Sequence, residues 1–249
     1  MEFRDPSVGT ITLRAALHEV PSASSVVIIV HGIAGNADAQ YCLRAARSAV
    51  QAGFSAVRVS LRGADGNGDD IYHAALTDDL RVLLAAHALR RYRQVFLMGY
   101  SQGGNMVIRA ASERIDPRIA GAVAICPPLD LARVMSNFDR KRFRLLKLIM
   151  NREANRQYER IERRGRAFSP VADLRACEEL RGVERVGDCA AFWFSRRRPL
   201  LPSIERTADL AASYGSDAGC CVAIRSHGAG GLAGARARRR SAAPGDGLA

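Results

Sequence analysis

Residues 94–104 read QVFLMGYSQGG. The apolar run 94–98 has the length and content of a strand, and 103–112 has the spacing of a helix. Between them, Gly99-Tyr100-Ser101-Gln102-Gly103 makes the pattern G-x-S-x-G. The pattern alone is weak, because Gly and Ser are common residues. Its position strengthens it: a strand-turn-helix arrangement forces the serine into a sharp, strained turn. The flanking glycines let backbone and helix approach closely there. The hydroxyl then stands at a helix N-terminus, where free N–H groups and the dipole stabilise negative charge. The plainer alternative for the same residues is a serine capping a helix in a nucleotide-binding α/β fold.

On either side, strand and helix signals alternate. Residues 26–30 (VVIIV) form a short β-branched run bounded by Ser24-Ser25 and His31-Gly32, as expected of a strand buried on both faces near the centre of a sheet. Residues 39–51 have helical spacing and stop at Gly53, and 55–59 supply another strand. Thr77-Asp78-Asp79 opens a helix with hydroxyl and acidic groups, and apolar residues recur from Leu80 to Leu89. A last strand, 119–125, ends at Pro127-Pro128, and 10–17 alternate weakly, as one outer strand would. This order predicts an α/β fold with a doubly wound, mostly parallel sheet and right-handed crossovers. The turn His31-Gly32-Ile33-Ala34-Gly35 follows the central strand, where it can present backbone N–H groups beside the serine. The amides of Ile33 and Gln102 are the expected oxyanion donors. His31 is expected to orient this turn by hydrogen bonding and not to act as a base.

A chain of 249 residues, 48 % hydrophobic, can bury a sizeable core without disulfide or metal support. No apolar window reaches the roughly 18 residues of a membrane span, so no transmembrane segment is expected. The first residues, MEFRDPSVGT, lack a basic start followed by an apolar block, which makes the cytoplasm the expected compartment. Cys42 and Cys126 are isolated and Cys220 and Cys221 adjacent, a pattern that fits neither a disulfide framework nor a zinc site. The net charge of +12 is unevenly spread. Residues 1–137 carry 14 Lys/Arg against 12 Asp/Glu, whereas 138–249 carry 23 against 13. Three regions are expected: a core over 1–137, a basic helical cap over 138–175, and an aberrant basic segment over 176–249. The last two dozen residues hold too few large apolar side chains to offset ordering entropy, so disorder is expected there.

The segments VVIIVHGIAGNADAQY (26–41), VRVSLRGADGNG (57–68), IYHAALTDDL (71–80), FLMGYSQGGNMVIRAA (96–111) and IAGAVAICPPLDL (119–131) resemble, in this order, those of the α/β-hydrolase superfamily. Within it they are most similar to the YheT-type branch of acyl-ester hydrolases. The resemblance covers roughly residues 10–175. It implies an eight-stranded sheet, a helical cap, and a Ser, Asp, His triad in that chain order, with Ser101 as nucleophile. It also implies hydrolysis of carboxylic esters, of acyl lipids or of short to medium acyl esters, with a small-molecule ester or lipid substrate and no cofactor. Tyr72, His73, Asp78 and Asp79 match a segment read as structural. Arg62-Gly63 is read, at least as readily, as a solvated arginine beside a flexible glycine.

The resemblance stops where acid and base should follow the last two strands. His227 is the only histidine after Ser101, and Asp217 is the nearest acid upstream of it. Their order is right, but ten positions are too few for the intervening helix and strand. Read one nucleotide later, the codons of Arg196-Arg197-Arg198-Pro199-Leu200-Leu201 can yield three acids, His, Tyr and Tyr, closer to the branch's own segment. A change of reading frame near residues 175–183 is therefore expected, and it also explains the Arg, Ala and Gly excess of the tail. Without the last strands, 119–125 becomes an apolar edge that the run 220–224 could partly cover. Two further functions stay open: a catalytically impaired or inactive family member, and a non-specific anion-binding protein using the arginine clusters 196–198 and 238–240. No specific nucleic-acid partner is expected, because no aromatics interleave with the basic residues.

Overall fold

The computed structural model describes residues 1–5, 9–65, 71–72, 76–129, 143–164 and 221–225. Strands β1 (Glu2–Asp5) and β2 (Gly9–Thr12) form an antiparallel hairpin of their own. The main sheet takes β3 (Arg14–His18), β4 (Ser25–Val30), β5 (Ser55–Ser60), β6 (Gln94–Tyr100), β7 (Ile119–Ile125) and β8 (Cys221–Arg225) in the order β3-β5-β4-β6-β7-β8. Its four inner strands are parallel, and β3 and β8 run antiparallel at the two edges. Helices α1 (Gln40–Gln51), α2 (Asp78–Ala85) and α3 (Gln102–Ser112) connect the parallel strands. A fourth, α4 (Arg144–Glu162), follows β7.

Strand periodicity explains the two faces. On β4, Val26, Ile28 and Val30 point to a core shared with Leu80, Leu83 and Leu84 of α2 and Met106 and Val107 of α3. The alternate residues Val27 and Ile29 point to a second core with Cys42 and Ala46 of α1. A strand covered on both sides must be apolar throughout, which is why VVIIV reads as a continuous run. The expected doubly wound, mostly parallel sheet is therefore present, with β4 near its centre.

One expectation needs correction. The stretch 10–17 is not one strand: residues 9–12 pair with 2–5, and only 14–18 join the main sheet. The break falls at buried Leu13, whose N–H donates to the Met1 carbonyl at 2.7 Å and whose carbonyl accepts from the Met1 amino group at 2.8 Å. The apolar edge of β7 is covered by β8, in register from Gly121 opposite Arg225 to Ile125 opposite Cys221. That strand is antiparallel, unlike the inner ones. Among the described residues no helix is long and apolar enough to cross a membrane, and no group of His, Cys, Asp or Glu could hold a metal ion. The expected region boundaries, the arginine clusters and the tail lie outside the described residues, as do His73, Asp217 and His227.

Candidate active site

The carboxyl ends of β4 and β6 meet at Ser101. This residue follows β6 directly, precedes the first residue of α3, and adopts φ +49° and ψ −119°. A positive φ is unusual for a residue with a Cβ and marks a strained turn. The turn is held by its own backbone: the Ser101 N–H donates to the Ile125 carbonyl at 2.8 Å, and the Ser101 carbonyl accepts from the Gly104 N–H at 2.8 Å. Gly103 is needed because a Cβ there would lie 2.7 Å from the Val30 carbonyl oxygen and closer still to that of His31. The first turn of α3 thus presses on the end of β4.

The turn 31–35 lies against this elbow. A Cβ on Gly32 would stand 3.2 Å from both the Ser101 Cβ and the Tyr100 carbonyl oxygen. Gly32 is held from both sides. Its N–H donates to the Tyr41 hydroxyl at 3.1 Å. Its carbonyl accepts from His31 Nδ1 at 2.7 Å, from the Tyr72 hydroxyl at 3.1 Å and from the Gly35 N–H at 3.1 Å. The next amide, that of Ile33, has no acceptor among the described residues, and neither does the amide of Gln102 at the start of α3. Two unpaired N–H groups beside a serine at a helix N-terminus can stabilise an oxyanion.

His31 is fully buried, and both of its nitrogens are engaged with backbone. Nδ1 faces a carbonyl and must carry the proton, while Nε2 accepts from the Leu61 N–H at 3.1 Å. Burial lowers its pKa to about 4, against the weaker opposing effect of the Gly32 hydrogen bond. The ring is neutral at pH 7 and has no lone pair left for Ser101. His18 receives the Arg58 Nε–H at 3.0 Å on β3. His87 lines a shallow cavity with Leu17, Glu19 and Arg91, by the amino ends of the parallel strands. Among the described residues, then, no imidazole with a free nitrogen stands beside Ser101.

Arg62 is corrected from a solvated residue to one 0 % exposed. Its Nε donates to Asp79 Oδ1 at 2.8 Å, its Nη1 to Asp5 Oδ2 at 2.8 Å and its backbone N–H to Asp79 Oδ2 at 3.1 Å, while the Phe3 ring lies 5.5 Å from the guanidinium. This network ties the N-terminal hairpin and the start of α2 to the turn after β5. Asp79 and Tyr72 are buried and structural, and Asp78 is exposed beside Arg81.

Two residues of the site carried no sequence signal. Tyr41, on the first turn of α1, packs on Tyr100 with ring centroids 4.7 Å apart. Tyr41 and Ile33 are both exposed, on the helix and the turn that meet at Gly32. Gln157 of α4 is 3 % exposed, and its Nε2 donates to the Ala64 carbonyl at 3.1 Å and to that of Gly35 at 3.4 Å. Helix α4 is thereby anchored across the turns after β4 and β5.

Comparison with known proteins gives a family and a set of distant folds. A family model described as the alpha/beta hydrolase fold matches residues 25–175. No curated protein matches the chain. Among solved structures, the chain is similar to an α/β serine hydrolase without a lid from Xanthomonas campestris, with 25 % identity and a TM-score of 0.43, over 52 % of this chain and 61 % of that one. It is also similar to Est1E of Butyrivibrio proteoclasticus, solved with ferulic acid (21 %, TM-score 0.43, 55 % and 56 %). An esterase of Pyrococcus furiosus is a third (16 %, TM-score 0.46, 65 % and 66 %). The chain spans less than two thirds of the length of each.

Proposed function

The chain belongs to the alpha/beta hydrolase fold family, and from that premise we propose that it is a serine hydrolase of carboxylic esters, acting through an acyl-enzyme on Ser101. The observation that carries this reading is the strained Ser101 backbone at the start of α3, set against a turn whose Ile33 amide finds no acceptor among the described residues. The Ser101 Oγ attacks the ester carbonyl carbon, and the carbonyl oxygen becomes an oxyanion held by the Ile33 and Gln102 N–H groups. Collapse of that intermediate breaks the ester C–O bond, releases the alcohol with a proton, and leaves the acyl group on Ser101. Water then attacks the acyl carbon and frees the acid. The exposed apolar side chains of Ile33 and Tyr41, on the segments that meet at Gly32 next to Ser101, favour an acyl chain as the bound group. We assign the chain to the YheT-type branch on the five ordered segments, read α4 as part of its cap, and place it in the cytoplasm, where the buried free thiol of Cys42 fits a reducing compartment.

One observation favours a second reading, a catalytically impaired member of the family: among the described residues the one histidine near the site, His31, has both nitrogens on backbone. An elbow and oxyanion hole without a base retain only about 10³- to 10⁴-fold over water. A fluorophosphonate probe separates the two. An active site labels in the wild-type chain and loses the label in Ser101→Ala. Equal labelling of both chains overturns the role of Ser101, and no labelling of either selects the impaired member.

A further inference from the structure

The outward face of α4 plays no part in the serine chemistry. Leu145, Leu148 and Ile149 are 69 %, 64 % and 57 % exposed. Their i, i+3, i+4 spacing puts them on one face, opposite the buried Gln157, Tyr158 and Ile161 by which the helix is anchored. At about 100° per residue, Arg152, Arg156, Arg160 and Arg163 continue the same outward arc of about 120°; all four are exposed, and the half-buried Glu159 falls inside the same arc. Glu153 reaches Arg156 at 3.4 Å from the margin of this arc. Three large apolar side chains side by side in water, continued along one helix by four guanidinium groups, have the make-up of a helix that lies in a lipid interface.

We propose that this face docks the protein on an anionic phospholipid surface, with Leu145, Leu148 and Ile149 entering the acyl boundary and the arginines engaging headgroup phosphates. Charge selects this occupant. A second copy would set cationic faces against each other, and a nucleic acid would leave the apolar side chains without a partner. Lipid offers both phosphate and hydrocarbon. Because Gln157 anchors the other side of the same helix at the Gly35 and Ala64 carbonyls, docking turns the carboxyl edge of the sheet toward the membrane. The proposal stands whether or not Ser101 is acylated.

The test is co-sedimentation of the full chain with vesicles of pure phosphatidylcholine and of phosphatidylcholine mixed with phosphatidylglycerol, at low and high salt. Wild-type protein is expected to bind the anionic vesicles in preference and to lose affinity as salt rises. The combined Leu145→Gln, Leu148→Gln, Ile149→Gln chain keeps its charge and alters only exposed positions. It is expected to bind about tenfold or more weakly, with an unchanged circular dichroism spectrum. Failure of the wild-type chain to bind overturns the proposal. So does equal binding by the variant, which would mean that charge alone makes the contact and that the three apolar side chains do not enter the lipid. A wild-type dimer in sedimentation equilibrium that the same substitutions abolish, without vesicle binding, would make a second copy the occupant and also overturns it.

Discussion

Single residues at this site are held where their own preferences would not put them. Ser101 keeps φ at +49°, a conformation that costs of order 1–3 kcal/mol and persists because the Ile125 carbonyl, the Gly104 amide and the close-packed Gly103 over-determine it. His31 is buried as a neutral ring, which has a consequence for stability. Its folded pKa near 4 lies below the ordinary 6.5, so between those values the unfolded chain binds a proton that the folded chain excludes. Stability is complete above about pH 6.5 and falls as pH drops toward 4, by up to about 3 kcal/mol from this group. Urea midpoints measured across that range should show the slope in the wild-type chain, and His31→Gln, less stable throughout, should lack its share of it. An identical slope in both chains would mean that the ring is not held neutral.

At the level of elements, the turn after β5 is clamped by charge in addition to the apolar burial of Leu61 and Ala64. Arg62 has no access to water and relies on Asp79 of α2 and Asp5 of β1. Removing one partner of such a pair strands a buried charge, whereas replacing both by apolar groups of similar volume is often close to neutral. Asp79→Asn is therefore expected to cost about 3–5 kcal/mol in chemical denaturation, and Arg62→Met combined with Asp79→Leu and Asp5→Leu, which leaves no member of the network charged, should recover most of the loss. A triple variant as unstable as the single one would show that the network is needed for more than satisfying a buried charge. Helix α4 is a different kind of element: its buried side touches the site's turns through Gln157, and its outer side carries apolar and basic residues together.

For the whole molecule, the weak point is the edge of the sheet beyond β7. A parallel, apolar strand at an open edge is a template for aggregation, and here β8 closes it by antiparallel pairing. Proline in that strand removes a donor and breaks the ladder, so Ala223→Pro should raise light scattering on heating while leaving the inner strands' pairing intact. Scattering equal to that of the wild-type chain would mean that β8 does not protect the edge. Much of this architecture was legible beforehand. The central strand, the Ser101 elbow and the turn after β4 are written in runs of a few residues, where β-branched patterning and glycine spacing state local geometry directly. Arg62 was misread because a charged residue after a strand looks solvated until its partners, 17 and 57 positions away, are brought to it. Gln157 and Gly35 stand 122 positions apart, and the single stretch 10–17 was divided by a hairpin partner that lies earlier in the chain. What the sequence determined alone was the succession of strands and helices along the chain, the buried central strand and the strained serine, because period and glycine act through neighbours along the chain. Which buried charges pair, what covers the last strand and which face of α4 meets water were decided by folding, because those contacts exist only once distant segments have been brought together.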